Sequence, residues 1–366
     1  MVKAAQIVNL LEEFASPDLA ETWDNSGLQV GSLNAEVQGV LLALDPDPAA
    51  VAEAARLGYM LITHHPLLIK GINRIDTARP PGVLIRQALM ADVTIYCLHT
   101  NLDSTPGGVS DCLAELIGLS GIKVLKPQPT NLFKLVVYVP LSHLDSLRKA
   151  LGEAGAGHIG QYSHCSFAAL GEGSFLPGAG ANPYLGNPGQ LELVQEFRLE
   201  TVVKPTYLGR ALAAMTKAHP YEEVAYDLFR LENLADHGLG RIGKLPESIC
   251  LNEFALKVAK TLGCPGVKVT GCPDQPVRKV AVVGGSGADY LRDAWQKGAH
   301  CLITGDIKYH QAKQAEELGI ALIDPGHYHS EAVILPILAK FLARAVPDLS
   351  IKLHSEGADP FRWLSI

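Results

Sequence analysis

Two segments far apart in this chain repeat one pattern of secondary-structure signals. The first starts at Gly39 and ends on the strand YMLITHH, and the second starts at Arg278 and ends on AHCLITGD. Each consists of a strand, a turn, a helix and a strand, and then continues through a further helix to another apolar strand. Short apolar strands that alternate with amphipathic helices are typical of βαβ units in mainly parallel sheets. We predict two similar α/β halves; the alternative is that unrelated βαβ units share the same pattern.

The pattern changes between the two halves. The elements predicted there follow in the order β-α-β-β-α-β, which is the ferredoxin-like arrangement. The flanking segments 126–131 and 232–240 contain turn and linker residues. A chain of 366 residues is long enough for two or three domains. We predict a first α/β half at 1–127, an inserted ferredoxin-like α+β domain at 128–235, and a second α/β half at 236–366 that packs with the first.

Composition excludes several classes of protein. The net charge is −7 without any run of Lys or Arg, which argues against nucleic-acid binding because such binding depends on neutralising phosphates. The seven cysteines are scattered and never spaced C-x-x-C, so neither a disulfide framework nor a finger-type zinc site is expected. No apolar run reaches the roughly 20 residues that span a membrane. The first 14 residues are typical of an amphipathic helix rather than a signal peptide. We expect a cytoplasmic protein with no membrane partner.

The strongest chemical signal is a pair of histidines, His64 and His65, directly after the strand that ends the first repeat. In open α/β sheets, ligands bind beyond the carboxyl ends of the strands. Pro66 favours an extended conformation of His65, and neighbouring extended residues point to opposite sides. The pair therefore suits two metal ions that lie side by side better than it suits one ion. Two solvated loop histidines are the alternative.

A second group of polar residues, from His99 to Asp103, follows the next strand. The carboxylate of Asp103 can bridge two cations and neutralise part of their charge, or it can cap the following turn. We expect His99 to be oriented towards Asp103 or the backbone rather than to bind a metal. It is a candidate catalytic residue for proton transfer.

A third group opens a helix after a strand of the second repeat. His327 and Glu331 are four residues apart and share one face of that helix, as helical metal ligands do. His329 points about 200° away from His327 and is the weaker candidate. The alternative for Glu331 is a surface carboxylate that stabilises the start of the helix.

Two further segments border the same predicted edge. The glycine-rich turn 284–287 could offer N–H groups to a phosphate, but it lacks the spacing of a phosphate-binding motif, and a tight turn explains it better. Asp306, Lys308 and His310 follow the last strand of the second repeat. That strand corresponds to the strand before His64 in the first repeat. Lys308 could pair with an anion, and Asp306 could order His310 for proton transfer. Solvated loop residues are an equally good explanation.

Together these groups predict a dinuclear metal site made by His64, His65, Asp103, His327 and Glu331. Nitrogen and oxygen ligands without a thiolate suit Zn, Fe, Mn, Co or Ni. Two divalent ions bring four positive charges and the two carboxylates return two negative ones, so the site would attract a small anionic substrate. It would also hold a hydroxide near neutral pH. We expect a metal-dependent hydrolase in which His99 and His310 are the candidate catalytic residues.

Four segments resemble the Nif-three-like dinuclear-metal-centre proteins, also called GTP cyclohydrolase 1 type 2 homologues: Glu21–Gly31, His64–Pro66, His99–Asp103 and Gly326–Glu331. The resemblance covers about residues 1–125 and 240–366. It implies metal ligands at the same five positions, and a homohexameric ring with metal sites facing its interior. The insertion resembles the family variant that carries a central domain similar to the nitrogen-regulatory PII and CutA proteins.

The resemblance also implies an activity. A hydrolase of a small phosphorylated or nucleotide-like molecule, of the cyclohydrolase or phosphoesterase type, is the leading hypothesis. The alternative is a non-catalytic metal-binding or metal-delivery protein, or a regulatory scaffold whose central domain senses a ligand.

Overall fold

The computed structural model describes residues 2–355 and 359–364. The chain forms two compact units: a split unit (Met1–Gln128 and Asp236–Ile366) and an inserted unit (Pro129–Ala235). Within the described residues, no helix is both long enough and apolar enough to cross a membrane.

Helices and strands alternate along much of the chain. The first part of the split unit contains β1 (Val2–Lys3), α1 (Ala4–Phe14), β2 (Gly27–Val30), β3 (Glu36–Val37), β4 (Gly39–Ala43), α2 (Pro48–Leu57), β5 (Tyr59–Thr63), α3 (Gly82–Met90), β6 (Ile95–Cys97), α4 (Thr100–Ser104), α5 (Val109–Leu116) and β7 (Ser120–Pro129). The inserted unit contains β8 (Phe133–Pro140), α6 (Leu144–Glu153), β9 (Ser166–Phe175), β10 (Glu192–Val203), α7 (Pro205–Ala218) and β11 (Tyr226–Arg230). The last part contains β12 (Leu234–Cys250), α8 (Leu251–Leu262), β13 (Lys268–Thr270), β14 (Pro276–Val282), α9 (Leu291–Gln296), β15 (Cys301–Ile303), α10 (Tyr309–Leu318), β16 (Ala321–Asp324), α11 (His327–Glu331), α12 (Leu335–Ala345) and β17 (Ser350–Leu353).

The first sheet of the split unit has the strand order β17-β4-β5-β6-β2. Strands β17, β4, β5 and β6 run parallel, and β2 is antiparallel to β6. Val40 and Leu42 pack with α1 and α12 on one face, whereas Leu41 and Ala43 pack with α2 and α3 on the other. Both faces are therefore covered, which explains why β4 is a continuous apolar run. The predicted α/β architecture is confirmed in this sheet.

The second sheet has the order β13-β16-β15-β14-β12-β7 and is mixed, not mainly parallel as predicted. Only β14, β15 and β16 form the parallel core, and β12 and β13 pair with it in antiparallel fashion. The segments predicted as linkers lie largely within β7 and β12, so that prediction is wrong. Gly238, one of the glycines that suggested a linker, allows β12 to approach β7 closely. A Cβ at this position would lie only 2.2 Å from the carbonyl oxygen of Lys126.

The two parts of the split unit exchange elements. Helix α12 and strand β17, from the end of the chain, complete the first sheet. In return, Leu113 and Ala114 of α5 pack in the core of the second sheet with Phe254. The prediction of two continuous halves did not include this exchange, which joins both sheets into one unit.

The inserted unit has its own core. Its antiparallel sheet has the order β11-β8-β10-β9, and α6 and α7 cover one face with apolar residues such as Leu147 and Met215. The elements follow in the predicted order β-α-β-β-α-β.

Candidate metal centre

The carboxyl ends of the parallel strands in both sheets carry the polar side chains singled out by the sequence. The structure brings six of these residues close together: His64 and His65 after β5, His99 and Asp103 after β6, and His327 and Glu331 after β16. Strand ends are rigid positions where side chains leave the sheet without disturbing its ladder, so they suit a preorganised site.

The buried part of the cluster, which we call the inner group, consists of His64, Asp103 and Oε1 of Glu331. The Nε2 atom of His64 lies 3.7 Å from Asp103 Oδ1 and 3.6 Å from Glu331 Oε1. These distances are too long for hydrogen bonds, and within the described residues His64 Nε2 and Asp103 Oδ1 are buried without a partner. Nδ1 of His64 donates to the carbonyl of Leu98 at 2.8 Å, which leaves Nε2 as a lone-pair donor.

The inner group passes a simple test of fit for a divalent ion. Two ligands that each lie about 2.0–2.2 Å from one tetrahedral ion are separated by about 3.4 Å. The two observed separations around His64 are close to that value. Buried polar atoms that lack partners are costly, and a cation between them would satisfy both.

The more accessible part of the cluster, which we call the outer group, consists of His65, His327 and Oε2 of Glu331. Nε2 of His65 lies 2.9 Å from that oxygen, Nε2 of His327 lies 3.0 Å from it, and the two nitrogens are 3.2 Å apart. The Nδ1 atom of each ring is hydrogen-bonded to a carboxylate on the side away from Glu331. The partner of His65 is Asp45 and the partner of His327 is Asp306, each at 2.7 Å. A carboxylate on the far nitrogen fixes the ring of a metal-binding histidine, so this arrangement is typical of a metal site.

Glu331 therefore belongs to both groups: its Oε1 faces the inner group and its Oε2 faces the outer group. The prediction that His64 and His65 point to opposite sides is wrong, because both rings turn towards this carboxylate after β5 ends at Thr63. His64, His65 and Glu331 each offer an atom within 4.8 Å of the others, so these three residues could hold a metal ion. A close-fitting glycine makes room for the carboxylate: a Cβ on Gly285 would lie 2.0 Å from its Oε1.

His99 borders the cluster but has a different partner from the one expected. Its Nδ1 donates to Asp24 at 2.8 Å rather than to Asp103, and its ring centroid lies 5.4 Å from that of His64. The Asp24 side chain is fully buried and also accepts from the backbone and hydroxyl of Thr100. Burial opposes ionisation of Asp24, but these hydrogen bonds from His99 and Thr100 outweigh it and lower its pKa.

The structure does not bring His310 into the cluster. His310 is exposed at the start of α10, where its ring packs against Tyr309. The expectation that Asp306 orders His310 is wrong, because the Asp306 carboxylate is bonded to His327. Lys308, at the amino-terminal end of α10, is also exposed.

The glycine-rich turn 284–287 is better explained as a tight turn, as expected, than as a phosphate-binding loop. The N–H of Gly285 donates to the hydroxyl of Ser330 at 3.0 Å, and the N–H of Gly287 donates to Thr304 at 2.7 Å. These donors are therefore already satisfied within the protein.

The electrostatics of the cluster favour a bound cation. Burial lowers the pKa of His65, but hydrogen bonds with Asp45 and Glu331 outweigh burial and raise it to about 10. The hydrogen bond with Glu331 raises the pKa of His327 to about 9 against the effect of burial. Burial raises the pKa of Asp103 to about 6. Protons thus offset the carboxylates when no metal is bound, and a metal ion would compete with those protons.

Fold and site define a mixed α/β protein whose histidine and glutamate side chains, at the strand ends of two sheets, could hold a metal ion. The chain belongs to the Duf34/NIF3 (NGG1p interacting factor 3) family, whose model matches residues 2–360.

Relatives of similar length support this assignment. A Bacillus subtilis protein named GTP cyclohydrolase 1 type 2 homolog is 46% identical over 370 residues, and the match covers 99% of each chain. A Halalkalibacterium halodurans protein with the same name is 43% identical over 364 residues, with 98% of each chain covered. A solved Bacillus cereus protein related to NIF3 is 41% identical with a TM-score of 0.74, and a Staphylococcus aureus structure is 29% identical with a TM-score of 0.83; each match covers 99% of both chains.

Sequence reasoning selected the central residues but missed those that support them. Asp45 was not singled out, and Asp24 was considered only as part of the family motif. A usable signal existed for Asp45, because it lies two residues beyond the end of β4, the parallel neighbour of β5, and His65 lies two residues beyond the end of β5. Asp24 lies in an irregular segment, and nothing in its local pattern indicated a partner 75 residues away.

Proposed function

We propose that this protein binds two divalent metal ions, one at the inner group and one at the outer group, with Glu331 shared between them. The observation that carries the proposal is the pair of buried, unpartnered atoms, Nε2 of His64 and Oδ1 of Asp103. The outward anchoring of the His65 and His327 rings supports a second ion. Zn, Fe, Mn, Co and Ni are the candidates, since the ligands are nitrogen and oxygen.

We further propose a metal-dependent hydrolase that acts on a small phosphorylated or nucleotide-like molecule. Bound divalent ions would supply Lewis acidity and an acidic water molecule. Of the carboxylates in the cluster, only Asp103 and Glu331 would contact the ions directly, so an anionic group can take an open coordination position. The carboxylates of Asp45 and Asp306 lie one imidazole ring further away. The name of the relatives, GTP cyclohydrolase 1 type 2 homolog, is consistent with a nucleotide-like substrate.

His99 is the first candidate for proton transfer. Its side chain is 16% exposed, it borders the inner group, and Asp24 fixes its orientation. A carboxylate on Nδ1 holds the tautomer and the orientation of the ring, as in other histidine acid–base groups. His310 remains a weaker candidate, because its exposed position at the start of α10 would require a large substrate or a movement to reach the metal ions.

The alternative function is metal binding or delivery without catalysis, or regulatory scaffolding. The exposure of the outer group favours it, since the His65 and His327 side chains are 21% and 33% exposed and an ion there could exchange with solvent. Metal that leaves within minutes when a chelator is added, together with the absence of turnover, would support this alternative. Slowly exchanging metal would exclude delivery.

We also propose that the inserted unit is a ferredoxin-like domain of the PII/CutA type, bounded near residues 128 and 235. Its strand order β11-β8-β10-β9, with both helices on one face, supports this assignment. A homohexameric assembly and a cytoplasmic location remain predictions. Light scattering of the purified protein would test the assembly.

Turnover can be tested with the metal-loaded protein. Wild type, Asp103→Ala and the surface control Asp145→Ala are incubated with a panel of nucleotides and phosphoesters, and released phosphate and opened-ring products are measured. We expect turnover in wild type and Asp145→Ala that Asp103→Ala loses by at least tenfold. No turnover above Asp103→Ala across the panel would reject the hydrolase hypothesis.

A further inference from the structure

An exposed tryptophan stands at the rim of the candidate metal centre. The Trp23 side chain is 60% exposed, and its ring centroid lies 6.0 Å from that of His99 in an edge-to-face arrangement. His99 in turn lies 5.4 Å from His64 and 5.9 Å from His65, measured between ring centroids. Single exposed apolar residues are common, so exposure alone assigns no role. The position of this indole, one ring away from two candidate ligands, is what needs an explanation.

The backbone on both sides of Trp23 is anchored. The N–H of Glu21 donates to the hydroxyl of Thr100 at 2.9 Å, and Asp24 accepts from His99 and Thr100 with a fully buried carboxylate. The segment that carries the indole is therefore fixed to α4, the same helix that carries Asp103. A fixed aromatic ring loses little conformational freedom when a ligand binds against it, which makes it an effective contact surface.

The same segment is tied to a second loop of the rim. The side-chain amide of Asn25 donates to the carbonyl of Leu68, and the side chain of Gln29 accepts from the N–H of Leu68 at 3.1 Å. This loop begins directly after His65 and runs to α3. Its exposed side chains combine apolar and cationic residues: Ile69, Lys70, Ile72, Arg74 and Ile75. The rim thus offers a planar ring on an anchored segment, and the loop tied to that segment at Leu68 carries apolar and cationic side chains.

We propose that Trp23 is a stacking platform for a planar heteroaromatic ring, and that the natural ligand joins such a ring to an anionic group held at the metal centre. This inference rests on the proposed metal site and narrows the proposed substrate to nucleotide-like molecules. Stacking of a base on an aromatic side chain contributes about 1–3 kcal/mol, which corresponds to about 5- to 150-fold in affinity. A phosphate that lacks the ring would bind at the metals without using Trp23.

Two probes separate ring from anion: GMP and ribose 5-phosphate, which differ by the base. Binding of each to metal-loaded protein is measured by calorimetry for wild type, Trp23→Ala, Trp23→Phe and Trp295→Ala. Trp295 is a matched control, since it is an indole of the same unit that is 46% exposed on α9. We expect Trp23→Ala to weaken GMP binding about 5- to 150-fold and to leave the binding of ribose 5-phosphate unchanged. Trp23→Phe should retain most of the affinity, and Trp295→Ala all of it.

Two readouts besides activity accompany the titrations. Metal content should be equal in all four proteins, because an indole offers no ligand atom. Tryptophan fluorescence should be quenched by GMP in wild type and in Trp295→Ala but not in Trp23→Ala.

The proposal is overturned if wild type binds GMP no more tightly than ribose 5-phosphate, or if Trp23→Ala weakens both probes equally. The proposal would also be rejected if wild type with its full metal content bound neither GMP nor ribose 5-phosphate. If GMP binding depends on Trp23 but no turnover is detected, the hydrolase hypothesis is rejected and the stacking proposal is supported. Wild type that holds no metal would reject the proposed function itself.

Discussion

The inner and outer groups share the carboxylate of Glu331, yet they differ in how their polar atoms are satisfied. In the inner group the nitrogen–oxygen separations are 3.6 and 3.7 Å, and His64 has no exposed side-chain surface. In the outer group the corresponding separations are 2.9 and 3.0 Å, and both histidines reach solvent. The outer atoms can thus satisfy one another with protons, whereas the inner atoms remain unpaired.

This difference indicates unequal affinities for a cation. The pKa values of His64, His65 and His327 are all raised by the neighbouring carboxylates, so a metal ion competes with protons in both groups. At the outer group the ion also has to break hydrogen bonds that already exist. An ion at the inner group would instead remove an existing penalty. We expect the inner group to hold its metal more tightly, and the following predictions are ordered by their effect on metal content.

The largest effect is expected for Glu331→Gln. An amide keeps the shape of the carboxylate but loses the charge that both groups share, so metal content should fall from near two ions per chain to below one. Elemental analysis after dialysis measures it. The control is Glu316→Gln, an exposed glutamate of α10 that pairs with Lys313. Full metal content in Glu331→Gln would contradict the shared role.

Single histidine changes should separate the two groups. His64→Ala should remove the inner ion and His327→Ala the outer ion, each lowering the metal content by about one ion per chain. Because both residues follow strand ends, the fold should persist with a loss of about 0.5–3 kcal/mol in stability. Elemental analysis and far-ultraviolet circular dichroism check the two statements. If either variant kept both ions, that histidine would not be a ligand.

A backbone change should act on Glu331 indirectly. In Gly285→Ala the new methyl would meet Oε1 of Glu331, and the positive φ of 59° would add about 1–2 kcal/mol of strain. We expect partial loss of metal, greater at the inner group, which uses this oxygen. Gly319→Ala is the control, since it has a positive φ of 71° but no atom within 4 Å of the added Cβ. Equal metal loss in the two variants would show that strain alone is responsible.

The smallest effect on metal is expected for Asp24→Asn, which should instead lower stability. The NH₂ group of the new amide would face the N–H donors of Thr100 or His99, so one hydrogen bond is lost. We expect the free energy of unfolding to fall by about 1.5–3 kcal/mol. Since the folded pKa of Asp24 lies below its unfolded value of about 3.9, its contribution is present above pH 4 and is lost as the pH falls through the folded pKa. Denaturation of wild type, Asp24→Asn and the exposed control Asp18→Asn between pH 7 and pH 3 measures this. A difference between wild type and Asp24→Asn that grows towards low pH would contradict the assignment.

The elements that sequence could predict are those with local signals. The strands before His64 and Glu331 are short apolar runs, and their polar ends lie where a sheet of this type binds ligands. The exchange of α12 and β17 between the two sheets has no local signal, because any amphipathic helix and strand would fit either sheet. Glycines that allow strands β12 and β7 to approach closely look the same in sequence as glycines of a linker.

The candidate metal centre shows the same difference between features with a local sequence signal and features that depend on the fold. The candidate ligands could be selected from the sequence because each lies at a strand end or at helical spacing. Partners such as Asp306 depend on which loops meet in three dimensions, which explains why it was assigned to the nearby His310 instead of to His327. Spacing along the chain predicts which side chains share an element; only the fold determines which elements share a site.

The central claim is that one carboxylate serves two ions, and anomalous diffraction from crystals of the metal-loaded protein tests it most directly. We predict two anomalous peaks, one between His64 and Asp103 and one between His65 and His327, with Glu331 contacting both. A single peak enclosed by His64, His65 and Glu331 would contradict the account, because these three residues could then hold the metal alone.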